Sequence, residues 1–154
     1  MDADGPIFAF EADFAGALHC IPMVVRFNLD QCGVKLSLKQ WNRFALSDRA
    51  RLIGQFCDTP QETSDYRSYL IELIEYGSFE RVSELVIDPS PAWSVVEQVP
   101  ERIADYAAGL GLAPPTLRSW TALTPLQRFA LFKLTRPGHD NDNFIPALRE
   151  FGLL

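Results

Sequence analysis

The chain has 154 residues, 47% of them hydrophobic and 22% charged, with a formal net charge of −6. That length suits one domain and buries about 70% of the surface the unfolded chain exposes, so neither metal nor disulfide staples are required. The acidic balance argues against nucleic acid or an anionic membrane as partner, and the ordinary composition argues against wholesale disorder.

The N-terminus, Met1-Asp2-Ala3-Asp4-Gly5-Pro6, carries no basic stretch ahead of an apolar run, as a secretory signal would. No apolar stretch approaches the ~20 residues that span a bilayer. Three cysteines, an odd count, do not make a disulfide framework. The expectation is a reduced, cytoplasmic protein.

In chain order, Phe8-Ala9-Phe10-Glu11-Ala12-Asp13-Phe14 alternates apolar and polar residues and predicts an extended N-terminal arm. Pro22 is placed at the first position of a helix that Gly33 ends in the left-handed conformation. Ile21, Val25, Leu29 and Cys32 share one face of it. The stretch Val25–Asp30 also alternates like a strand, but the proline and glycine that bracket it favour helix. Ser37 caps a helix carrying Leu38, Trp41 and Phe44, and Ser47 with Asp48 opens another toward Phe56. Thr59-Pro60-Gln61-Glu62 is a capping box that opens a helix over about 60–76, with Tyr66, Tyr69, Leu70, Leu73 and Ile74 as its apolar stripe.

The segment Phe79–Ile87 is short and mixed, and Asp88-Pro89-Ser90-Pro91 is the clearest break. A helix runs from Pro100 to Leu110 and stops at Gly111. After Pro114-Pro115, Thr124-Pro125 opens a helix to about Leu134. A polar loop over 137–143 precedes a final helix near 144–151, with Asn and Asp side chains expected to make turns and cap it. No segment after Trp41 reads as a strand. The predicted fold is mainly α, a single compact bundle of about seven short helices.

One internal echo stands out. Ser37-Leu38-Lys39-Gln40-Trp41-Asn42-Arg43-Phe44 resembles Thr116-Leu117-Arg118-Ser119-Trp120-Thr121-Ala122-Leu123, and each is followed by a second capped helix. The pattern suggests a duplicated helical hairpin.

Chemistry-bearing residues are sparse. His19, Cys20, Cys32, Cys57 and His139 are the soft metal ligands present, yet no two cysteines lie at the short spacing that seeds zinc or iron–sulfur sites. Cys32 falls on an apolar face, where a free cysteine acts as a small hydrophobe. A catalytic Cys20 or Cys57 with His139 lacks a recognisable orienting group, and Glu72 and Glu75 lie on a solvated face. His139-Asp140-Asn141-Asp142-Asn143 lacks the glycine and closing glutamate of a calcium loop. Arg26 and Asp30, four apart on a helix, make a simple ion pair or, with Lys35, dress a docking surface.

The segments Phe10–Phe14, Cys20–Met23, Val25–Asp30, Cys32–Leu36 with Trp41, Gln127–Leu134, Asn143-Phe144, Ala147-Leu148 and Glu150-Phe151 resemble the nitrate reductase associated protein family of bacteria. The resemblance runs from about residue 8 to the end. One departure is Asn28, where lysine is expected. What the resemblance implies is a non-enzymatic accessory protein for assimilatory nitrate reductase, without cofactor, that binds the catalytic subunit and supports its maturation. The partner-binding candidates are Arg26, Asp30, Lys35, Trp41, Arg128 and His139. A rival expectation is a metal- or iron–sulfur-carrying protein that uses Cys20, Cys32 and Cys57.

Overall fold

A computed structural model describes residues 7–12, 20–77, 80–136 and 142–154. The chain divides into two compact units, Met1–Asp88 and Pro89–Leu154. The boundary falls inside Asp88-Pro89-Ser90-Pro91, where two prolines remove main-chain donors and bias the preceding residues away from helix. The protein is mainly helical, as the sequence predicts, with eight α-helices among the described residues.

In the first unit, α1 spans Met23–Cys32, α2 Leu38–Arg43, α3 Leu46–Gly54 and α4 Pro60–Glu72. The stretch Val25–Asp30 is helical, because its alternation is overridden by the bracket around it. Pro22 sits one residue outside the helix with ψ 150°, and Gly33 closes it at φ 73°. Ser37 accepts the N–H of Gln40 while the Gln40 side chain accepts the N–H of Ser37. Thr59 and Glu62 make the same reciprocal box for α4. After Glu72 the helix widens into a π turn over Leu73–Gly77. Its buried stripe is narrower than expected: Tyr66, Leu70 and Ile74 face the core with Val25, Leu29 and Leu52. Tyr66 fastens α4 to α3 by donating its hydroxyl to the Leu52 carbonyl at 2.8 Å.

Several boundaries differ from expectation. The helix α3 starts at Leu46 with Ala45 as its uncapped N-cap, so Ser47 lies inside the first turn. The buried Phe44 fixes an extended corner, and the chain re-enters helix before it reaches the hydroxyl. A strand does follow Trp41: Ser83–Glu84 (β2) pairs antiparallel with Val34–Lys35 (β1), and the N–H of Leu85 donates to the Gly33 carbonyl at 2.9 Å. At the N-terminus Ala9–Glu11 forms a 3-10 turn. The rest of the expected arm, residues 13 and 14, lies outside the described residues.

In the second unit, a 3-10 turn at Ala92–Ser94 precedes α5 (Glu101–Gly109), α6 (Leu117–Ala122), α7 (Pro125–Lys133) and α8 (Phe144–Glu150). Thr116 and Thr124 cap α6 and α7 with their hydroxyls. Asn143 does not cap α8 with its side chain, because its backbone is near-helical (ψ 0°) where a capping residue is extended. Residues 137–141 lie outside the described residues. The core joins Ile103, Ala107, Trp120, Phe129, Leu131 and Phe144, with Tyr106 meeting Phe144 edge-on at 4.8 Å.

The echo between the halves is structural, and it reaches beyond the hairpin. In each unit a proline N-cap (Pro22, Pro100) opens a helix that ends at a left-handed glycine (Gly33 at φ 73°, Gly111 at φ 76°). A hydroxyl-capped helix of 6 residues follows, then one of 9. Trp41 and Trp120 are both buried, and the next corner is closed by Phe44 N–H to Trp41 and Leu123 N–H to Trp120. Leu52 and Leu131 occupy the same place in α3 and α7, fully buried in both. Arg49 and Arg128 likewise correspond.

Candidate functional site

A groove of about 600 Å³ lies in the first unit. One wall is the C-terminal end of α1 with Gly33, another is the first two turns of α4, and the third is the segment Glu84–Ile87 after the β ladder. Arg67 ties these three elements together. Its guanidinium donates to the Cys32 carbonyl at 2.8 Å and pairs with the Glu84 carboxylate at 2.9 Å. Ile87 rests on Gly33 so closely that a Cβ there would meet its side chain at 2.9 Å.

The groove's chemistry is that of a contact surface. Burial pushes the Cys57 thiol up to about 12, with the neighbouring Cys32 thiol adding to the effect. Burial also raises the Cys32 thiol. Both thiols therefore ionise less readily than a free thiol, which disfavours a nucleophilic role. The first turn of α4 is already occupied by its own capping box, and Glu62 also accepts the N–H of Asp58 at 3.1 Å.

Outside the groove the main chain stays open. Leu85 donates to β1, so by ladder alternation the N–H and C=O of Val86 point the other way. Val86 is 99% exposed and Ile87 54% exposed.

The second unit shows how its own hairpin is filled. The segment Trp93–Val96 lies across α6 and α7 as a strap. Arg128 donates Nε to the Trp93 carbonyl at 3.1 Å, Trp120 donates its indole N–H to the Val95 carbonyl at 3.0 Å, and Thr121 donates to the Val96 carbonyl at 2.9 Å. Trp93 meets Phe129 edge-on at 5.7 Å. In the first unit the matching donors, Trp41 Nε1 and Arg49 Nε, are buried without a hydrogen-bond partner.

The six partner-binding candidates are not brought to one place. Asp30 and Lys35 border the Gln31–Gly33 edge of the groove in sequence, with Lys35 exposed on β1. Arg26 turns back along α1, donating Nε to the Ile21 carbonyl at 2.8 Å. Trp41 and Arg128 lie in the core: Trp41 is 1% exposed, and Arg128 spends its guanidinium on the Trp93 and Leu123 carbonyls. His139 lies outside the described residues.

The three-cysteine metal reading is also corrected. Cys20 and Cys32 flank opposite ends of α1, whose 10 residues hold them ~15 Å apart along the axis. Among the described residues no group of three His, Cys, Asp or Glu side chains could hold a metal ion. Among them, too, no helix is long and apolar enough to cross a membrane.

Reading by motif missed Arg67, Glu84 and the exposed Val86-Ile87. The signal available was the β-branched pair Val86-Ile87 just ahead of Asp88-Pro89, which reads as a strand end.

No curated protein and no solved structure matches the chain. A family model for conserved nitrate reductase-associated proteins matches residues 7–151, and the chain belongs to that family.

Proposed function

We propose that this protein is a non-enzymatic accessory factor for assimilatory nitrate reductase, acting in the cytoplasm by binding the catalytic subunit while it is assembled or loaded with its cofactors. Membership of the nitrate reductase-associated family is the observation that carries the reading. The groove between α1, α4 and the segment Glu84–Ile87 supports it, because an open concave surface edged by a fully exposed valine suits a polypeptide partner. The acidic net charge of −6 favours a basic docking face on the enzyme.

The test is a pull-down with the apo and the holo catalytic subunit. Stronger capture of the apo form is expected, since a maturation factor must release its client once the cofactor is in place. Equal absence of binding to both forms sinks the proposal.

A further inference from the structure

We propose that the connection between α5 and α6 takes an added strand from a partner polypeptide, as β1 takes β2 in the first unit. The partner segment is extended and uncharged, and it seats a large apolar residue on Gly111. This surface is separate from the groove above and rests on the docking reading only for the partner's identity. The repeat supplies the template. Gly33 ends α1 at φ 73° and Gly111 ends α5 at φ 76°, and a hydroxyl-capped helix follows each. In the first unit the two residues after the glycine pair with Ser83–Glu84, the Leu85 N–H donates to the Gly33 carbonyl at 2.9 Å, and Ile87 rests on the glycine. Among the described residues the second unit has no such cover. The Gly111 carbonyl and the Ala113 N–H bond to none of them, and a Cβ on Gly111 would meet nothing within 4 Å.

Local chemistry selects the occupant. Pro114 and Pro115 hold Ala113 and Pro114 extended, because a proline ring excludes the helical region for the residue before it. Thr116 is extended too, at ψ 157°. The open C=O of Gly111 and the open N–H of Ala113 stand at the two positions through which the β1 edge holds β2. No residue from Tyr106 to Leu117 is charged, and Leu110 and Leu117 are 45% and 49% exposed. Leu112 is half-buried, whereas its counterpart Val34 is fully covered. Burial of apolar surface, and not charge, is what this edge rewards. A second copy of the chain is the weaker occupant. Its Gly111 and Leu112 N–H groups are spent on carbonyls of α5 and Pro114 has none, so its own edge offers a single donor.

The test uses the full chain with a synthetic peptide, Ser-Thr-Leu-Val-Ile between terminal lysines, which keeps the order of Ser83–Ile87 but replaces the glutamate by threonine. Its leucine N–H is the donor for Gly111 and its isoleucine the residue that sits on it. Two controls remove one feature each: methylation of the leucine nitrogen, and aspartate in place of the isoleucine. Amide chemical shifts and hydrogen exchange are followed across Gly111–Ala113. Binding with new protection at the Ala113 amide is expected, both controls should bind at least tenfold more weakly, and added salt should leave the affinity unchanged. Ala113→Pro removes an N–H that bonds to none of the described residues, so it should weaken the parent peptide about tenfold while the circular dichroism spectrum holds. The proposal is overturned if the methylated peptide binds as well as its parent, if protection appears away from this edge, or if wild-type protein dimerises through it. A successful pull-down with no peptide binding sinks this inference alone. Peptide binding with no pull-down sinks only the nitrate reductase reading.

Discussion

The carboxylate of Glu11 accepts the main-chain N–H of Met23 at 3.0 Å and that of Phe8 at 3.2 Å. It thereby supplies the N-cap that Pro22 cannot, since proline has no side-chain acceptor for the free donors of the first turn. Glu11 is buried, and it pins the 3-10 turn at Ala9–Glu11 onto the start of α1. Glu11→Ala should cost about 1–3 kcal/mol, the range for a buried donor left without its charged acceptor. Glu11→Gln should recover part of that loss. Denaturant midpoints for the two variants check the order, and equal stability for both would refute a capping role.

The two tryptophans should respond differently to loss of the indole N–H. Trp120→Phe leaves the Val95 carbonyl without its donor, whereas Trp41→Phe removes a buried donor that has no acceptor. Both changes lose similar volume from a fully packed site. Trp120→Phe should therefore be the more damaging by about 1–3 kcal/mol. Protection of the Phe44 and Leu123 amides against hydrogen exchange reads each corner separately. Equal effects would show that the strap's hydrogen bond contributes nothing.

Gly33 and Gly111 form a matched pair for separating backbone strain from crowding. Both have positive φ, but a Cβ at Gly33 meets Ile87 at 2.9 Å and the Leu85 carbonyl at 3.2 Å, while one at Gly111 meets nothing within 4 Å. Gly111→Ala should cost about 1 kcal/mol for the left-handed conformation alone. Gly33→Ala should cost more and shift the amide signals of Leu85–Ile87. If the two variants lose the same stability, the strand does not rest on Gly33.

Alkaline pH should weaken the fold through its buried thiols. Burial raises the Cys57 thiol in the folded state from the ordinary 9.0 to about 12. The unfolded chain then releases this proton first as pH climbs. The stabilisation is complete below pH ~9 and is lost between pH ~9 and ~12, at about 1.4 kcal/mol per pH unit for one such group. Cys57→Ala should flatten the slope of stability against pH in that window. Thiol-reactive reagents should label Cys57 slowly at neutral pH, and rapid labelling of folded protein would contradict its burial.

Local punctuation made most of the helices legible in advance. Thr59-Pro60-Gln61-Glu62, Thr124-Pro125, Ser37 and Thr116 act within four residues of themselves, and each appears where the sequence places it. The starts that slipped are the ones a neighbour decides: Pro22 lies outside α1 because Glu11 caps from a distance, and α3 starts early because Phe44 fixes its corner. The strand Ser83–Glu84 was illegible for the same reason, as two residues form a ladder only when Gly33 and Val34 are already in place.

The candidate site divides along that line. By itself the sequence determined the helical class, the repeated hairpin, the Asp88–Pro91 break and the family, since spacing and capping are written in contiguous residues. Only the tertiary structure decided which residues face a partner. It moved Trp41 and Arg128 into the core, separated Cys20 from Cys32, and brought Arg67 to Glu84 and the Cys32 carbonyl. Those outcomes depend on contacts between elements distant in sequence, and on which free donors and acceptors remain after each helix has satisfied its own.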